Sequence, residues 1–134
     1  MKIGVLGRVA AWDDDGSEIA LRPQFRRLLG LLVATGTTVT LGQIAEYVAG
    51  GRATGSAART AAGRLRSVVG DRLVTAGSSY ELQLGQDELD VTAFAHLRER
   101  SAGATAKERI TLLRAALAEW RGPAFGDLAD EAWA

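Results

Sequence analysis

The chain has 134 residues, sixteen Lys/Arg against sixteen Asp/Glu for a formal net charge of zero, 47% apolar residues and no cysteine. That length holds one ordinary domain, or one small domain with part of another, and can bury a sizeable core. The lack of cysteine excludes disulfides, thiolate metal centres and cysteine nucleophiles, and no apolar run approaches a membrane span.

The N-terminal MKIGVLGRVAAW turns polar too soon for a signal peptide, so a soluble cytoplasmic chain without membrane contact is expected. The zero total hides an asymmetry. Residues 1–85 hold ten basic against seven acidic residues (+3), and residues 86–134 hold six against nine (−3). Arg22 to Arg72 alone reach eight against two (+6), a focused field of the kind that favours nucleic acid.

Lys2–Leu6, Val9–Trp12 and Glu18–Leu21 have strand character, and the turn cluster Asp13-Asp14-Asp15-Gly16 separates the last two, so a small antiparallel sheet is expected. Arg22-Pro23 opens a helix with proline near its first turn, Phe25, Leu28, Leu29, Leu31, Leu32 and Val33 give it an apolar stripe, and Thr35-Gly36 closes it. Thr37–Thr40 is extended, and Thr40 caps a short helix from Leu41 to about Val48 with Ile44, Val48 and Tyr47 inward. A glycine-rich loop, residues 49–55, leads to GSAARTAAGRLRSVVG at 55–70.

Plotted at about 100° per residue, Ala58, Ala61, Ala62, Leu65, Val68 and Val69 gather on one side of that stretch, which must be buried. Ser56, Thr60, Gly63 and Ser67 lie opposite, with Arg59 and Arg66 along one shoulder and Arg64 along the other. Small polar residues between arginines suit a helix lying in a groove with a phosphate backbone on either side. An ordinary amphipathic helix with a solvated basic face is the plainer reading.

Arg72–Thr75 and Tyr80–Leu84, joined by Ala76–Ser79, form a hairpin. The order sheet, three helices, hairpin is that of a winged helix-turn-helix with an added N-terminal sheet, whose third helix enters the major groove while the hairpin reaches an adjacent part of the duplex. Beyond Gly85, Asp90 caps a helix through Val91, Phe94, Leu97 and Arg98, and Thr105 caps another from Ala106 to Trp120. Such a helical hairpin is a unit of stacked helical repeats. It either leans on the preceding domain or offers its apolar face to a partner. Phe125, Leu128 and Trp133 look like the lead-in to a further helix.

For catalysis there is no pair of residues to rest on. Asp13-Asp14-Asp15-Gly16 lacks the distal glutamate of an EF-hand, no phosphate-binding Gly-rich loop precedes a Lys-Ser/Thr, and His96 has no companion ligands, so no enzyme, cofactor or metal is expected.

LGRVAAWDDDGSEIALRP, FRRLLGLLVATG, RLRSVVG and RLVTAGSSYELQL resemble the N-terminal OmpR-type DNA-binding domain of the Streptomyces antibiotic regulatory protein (SARP) family. DELDVTAFAHL and ALAEWRGPAFGDLADEAWA resemble the start of the bacterial transcriptional activator domain that follows it there. The resemblance implies an α+β chain: a winged helix-turn-helix over residues 1–86, then a partial all-α activator region over 87–134. It further implies a transcriptional activator of a biosynthetic gene cluster in an actinomycete, promoter DNA carrying direct repeats, and contact with RNA polymerase, with a homodimer left open. In that family the activator domain continues past the point where Ala134 stands, so the chain is either a shortened piece or an unusually small natural member.

Carried onto this sequence, the DNA-reading helix puts phosphate and base contacts on Ser56, Arg59, Thr60, Gly63, Arg64, Arg66 and Ser67. Arg72, at the hairpin base, joins them. Arg59, Arg64 and Arg66 are the phosphate ligands, because the guanidinium fork grips phosphate in two places; Ser56, Thr60 and Ser67 are suited to base edges or thymine methyls. Arg22, Arg26 and Arg27, at the start of the first long helix, are lesser candidates. The sequence departs from the family at Thr60-Ala61-Ala62-Gly63, where bulkier residues are usual, at Ala49, where tryptophan is common, and in the hairpin turn at Ala76 and Ser79. A winged helix whose DNA face has decayed and which binds a protein, a peptide or its own copy is the rival reading.

Overall fold

The computed structural model describes residues 1–36, 38–48 and 55–134; the glycine-rich loop expected before residue 55 falls almost wholly outside them. β1 (Lys2–Gly4), β2 (Ala10–Trp12) and β3 (Glu18–Ile19) form an antiparallel sheet in that order, with Ile3 opposite Ala11 and Ala11 opposite Ile19. The strands are shorter than their apolar runs, because Val5 and Leu6 turn their backbone to other partners. Asp13 builds the β2–β3 turn: its Oδ1 accepts from the N–H groups of Asp15 and Ser17, both at 3.0 Å.

α1 (Pro23–Ala34) begins with proline in its first turn and buries Leu28, Leu29, Leu31 and Leu32. Thr35 ends it by donating its hydroxyl to Leu31 O at 2.8 Å. β4 (Thr38–Thr40) then leads directly into α2 (Leu41–Tyr47). Thr40 and Gln43 form a reciprocal capping box there, which satisfies two of the helix's orphan N–H groups. α3 (Gly55–Val69) packs Ala58, Ala62, Leu65 and Val69 against α1 and α2.

β5 (Leu73–Ala76) and β6 (Ser79–Leu82) follow, with Gly77 at φ 61° taking the turn position that a side chain would strain. β4 adds to the free edge of β6, Val39 opposite Tyr80, giving a second sheet in the order β4-β6-β5. The stretch before α2, read in the sequence only as extended, is thus the third strand of the hairpin's sheet.

α4 (Asp90–Ala102) and α5 (Ala106–Ala118) form an antiparallel hairpin, and Thr105 and Glu108 cap α5 as another reciprocal box. One expectation needs correction. Asp90 is not the cap of α4: Leu89 holds that position, and the buried Asp90 carboxylate accepts from the N–H groups of Val5 at 2.8 Å and Leu6 at 2.7 Å. A buried carboxylate gains more from two charge-assisted backbone bonds than from its own helix end. The last residues carry a short 3-10 turn at Gly126–Leu128. They fold back: Arg121 N–H donates to Leu6 O and Phe125 N–H to Val5 O, both at 2.7 Å, Leu128 is buried, and Trp133 lies edge-on to Phe125 beside Gly30. One continuous apolar core runs from Ile3 to Leu128, so the C-terminal segment completes the N-terminal half.

Candidate nucleic-acid interface

α3 presents the face the sequence implied. Ser56, Arg59, Thr60, Gly63, Arg64 and Ser67 are all exposed along its outer side, opposite the buried Ala58, Ala62, Leu65 and Val69. Arg59 and Arg64 stand about 140° apart around the axis, with the small residues between them, by the helical repeat. Among the described residues nothing lies within 4 Å of where a Cβ on Gly63 would sit, so the middle of this face is open backbone.

The hydroxyls on this face are partly engaged. Thr60 donates to Ser56 O at 3.0 Å and Ser67 to Arg64 O at 2.6 Å. Each keeps lone pairs to accept with, and Thr60 also offers a methyl group.

The arginines separate into two groups. Arg59 and Arg64 have no ion pair among the described residues. Arg66 is half-buried and reaches β5, where its Nε donates to Leu73 O at 3.1 Å and its Nη2 to Thr75 Oγ1 at 2.6 Å. It ties α3 to the hairpin. Arg72 is held by Glu88, Nε to Oε2 at 2.8 Å with a second, shorter contact from Nη2. That hydrogen bond raises the Arg72 pKa further and, with the Gly85 N–H, holds the Glu88 carboxyl below its ordinary range. Arg72 therefore sits apart from the α3 face with its charge already matched.

Sequence reasoning treated Arg22, Arg26 and Arg27 alike, and the structure divides them. Arg26 pairs with Asp127 at 2.8 Å and Arg27 with Glu131 at 3.4 Å. Arg22 is exposed and shares a shallow cleft with Ala20, Phe25, Arg64, Ser67 and Val68. Its approach to Arg64 depends on how α1 crosses α3, which no local pattern encodes.

The acidic surplus of residues 86–134 has a parallel fate. Glu88 goes to Arg72, Glu119 to Lys2 at 2.6 Å, Asp127 to Arg26 and Glu131 to Arg27, while Asp90 lies 3.7 Å from Arg121. Most of these pairs join the C-terminal region to the first 72 residues. What looked in sequence like an acidic flank is largely an ionic seam within the chain, and the cations left without an ion pair among the described residues include Arg59 and Arg64.

Comparison with known proteins bears on both halves. Residues 89–134 match the family model of the bacterial transcriptional activator domain. The regulatory protein AfsR of Streptomyces coelicolor is 36% identical over 133 residues, covering 91% of this chain and 13% of its own length. The chain thus spans about an eighth of that relative. Among solved structures, EmbR of Mycobacterium tuberculosis in complex with a low-affinity phosphopeptide superposes with a TM-score of 0.80 at 23% identity, over 97% of this chain and 38% of that one. The last likeness shows the fold, a mixture of helices with small antiparallel sheets. Residues 89–134 thus resemble the start of a bacterial transcriptional activator domain, and the chain as a whole resembles one stretch of a longer Streptomyces regulatory protein.

Proposed function

We propose that the chain is a DNA-binding transcriptional activator in which residues 1–86 form an OmpR-type winged helix-turn-helix and residues 87–134 the opening part of a bacterial transcriptional activator domain. On this reading α3 is the recognition helix in the major groove, α2 supports it across the backbone, and β5–β6 is the wing. The observation that carries the reading is the outer face of α3, where Arg59 and Arg64 flank a flat strip of small residues and have no partner within the described protein.

Arg59 and Arg64 grip phosphates on the two sides of the groove, and Arg22, beside Arg64, extends the second grip. Ser56, Thr60 and Ser67 face base edges, and Gly63 lets the duplex approach the backbone closely. Short side chains reach few base atoms, so direct readout is thin and phosphate contacts dominate affinity. Arg66 and Arg72 act indirectly: the first fixes the angle between α3 and the wing, the second anchors the wing's base to Glu88. The family resemblance supplies the rest of the reading: direct repeats in a promoter, contact with RNA polymerase, control of a secondary-metabolite gene cluster, and action in the cytoplasm of an actinomycete.

The test is a gel-shift series with the promoter regions upstream of the chain's own gene and its neighbours, run over a range of salt. A shifted complex whose affinity falls steeply with salt is the expected result. No DNA affinity at low salt, with concentration-dependent self-association in its place, would overturn the reading in favour of a winged helix that binds protein.

A further inference from the structure

Two hydroxyl groups on the outer face of α3 are already spent as donors. Thr60 gives its proton to the Ser56 carbonyl at 3.0 Å, one turn back, and Ser67 gives its proton to the Arg64 carbonyl at 2.6 Å, three residues back. These are the local bonds by which Ser and Thr satisfy themselves within a helix. A hydroxyl has one proton and two lone pairs, so what each oxygen still offers outward is acceptance alone. Both residues are exposed, and Gly63, between them on the same strip, has no side chain to stand in front of either.

The major-groove edge of every base pair carries one amino group and one keto oxygen at its centre. The amino group is N6 of adenine or N4 of cytosine, and the keto oxygen is O4 of thymine or O6 of guanine on the base across from it. An oxygen that can only accept attracts the amino group and meets the keto oxygen lone pair to lone pair. To donate to a keto base, Thr60 or Ser67 must first break its bond to the helix carbonyl, and that cost falls on the wrong base alone. The two residues differ in one respect. Thr60 has a methyl group suited to the C5-methyl of thymine, the partner of adenine, and Ser67 has none.

We infer that Thr60 and Ser67 select amino bases over keto bases on the strand each faces: adenine at Thr60, and adenine or cytosine at Ser67. The inference rests on the proposal that α3 is the recognition helix and adds to it the chemical class of base that is read.

The test is selection of bound duplexes from a randomised pool by the full chain, by Thr60→Val and by Ser67→Ala. Thr60→Val keeps the shape of the side chain and removes the acceptor, and both positions are exposed, so folding does not depend on either. The full chain should enrich two amino-base positions, each about fivefold over the keto alternative. Thr60→Val should lose one of them and Ser67→Ala the other, with the salt dependence of binding unchanged because no phosphate ligand is touched. Thr60→Ser, which keeps the oxygen and drops the methyl, should retain the amino preference and lose the bias of adenine over cytosine. In the selected site, replacing the adenine that faces Thr60 by unsubstituted purine, which lacks only the N6 amino group, should weaken the full chain about fivefold and leave Thr60→Val unaffected. Keto bases enriched at either position, or a base preference that either variant keeps unchanged, would overturn the inference while salt-dependent DNA binding still upheld the reading of α3. A pool from which nothing is retained at low salt would overturn that reading and this inference with it.

Discussion

Two regions of this molecule use arginine in opposite ways. Along the seam that joins the C-terminal segment to the first 72 residues, Arg26, Arg27, Arg72 and Arg121 each meet a carboxylate, and the segment also meets backbone N–H and C=O groups of the first strand's continuation. On α3, Arg59 and Arg64 meet no carboxylate in the described protein. Nothing in residue type or local sequence distinguishes the two sets; the fold does, by placing acids beside one and open solvent beside the other. A surface that keeps unmatched guanidinium groups on a helix supported from behind is suited to an external anion, whereas matched ones hold the chain together.

The strongest way to break that contrast is to attack the seam at Asp90. Asp90→Ala strands the Val5 and Leu6 N–H groups in the interior, and a loss of about 3 kcal/mol in unfolding free energy by urea titration is expected. Asp90→Asn, which keeps an acceptor oxygen, should recover much of it. Next comes Gly126→Ala. Gly126 sits at φ 52° with the Arg8 Cα only 2.8 Å from where a Cβ would be, so the substitution meets both backbone strain and backbone atoms. It should cost about 2 kcal/mol in the same titration.

A smaller effect comes from pH. Hydrogen bonds from Arg72 and Arg26 lower the pKa of Glu88 and Asp127 in the folded chain. Their contribution is therefore fully present above the ordinary carboxylate range and is lost as pH falls through the lowered values. Both pairs are partly solvated, so each contributes less than about 1 kcal/mol after screening. Denaturation midpoints followed from pH 6 down to pH 3 should decline, and Glu88→Gln with Asp127→Asn should flatten the decline.

Much of the fold could be read from local pattern. Thr40-x-x-Gln43 and Thr105-x-x-Glu108 announce their capping boxes, Pro23 announces the start of α1, and the 3.6-residue period of α3 by itself separates its buried side from its exposed one. Each of those signals acts within a few turns of chain. What could not be read depends on contacts far apart in sequence: β4 joining β6, Asp90 serving Val5 and Leu6 85 and 84 residues away, and the last residues returning to the first sheet. The candidate site divides along the same line. The exposed strip of α3 follows from periodicity, but the diversion of Arg66 to Thr75 and of Arg72 to Glu88, and the cleft that Arg22 shares with Arg64, follow from tertiary packing.

In the proposed function the unmatched arginines of α3, and not those of the seam, hold a nucleic-acid backbone. The most direct measurement is the salt dependence of binding to a promoter fragment for the chain, for Arg59→Ala/Arg64→Ala, and for Arg72→Ala. The double variant should lower the slope of log affinity against log salt by about two while its thermal midpoint stays unchanged, and Arg72→Ala should leave the slope nearly intact. An unaltered slope in the double variant, or an equal loss in Arg72→Ala, would contradict it.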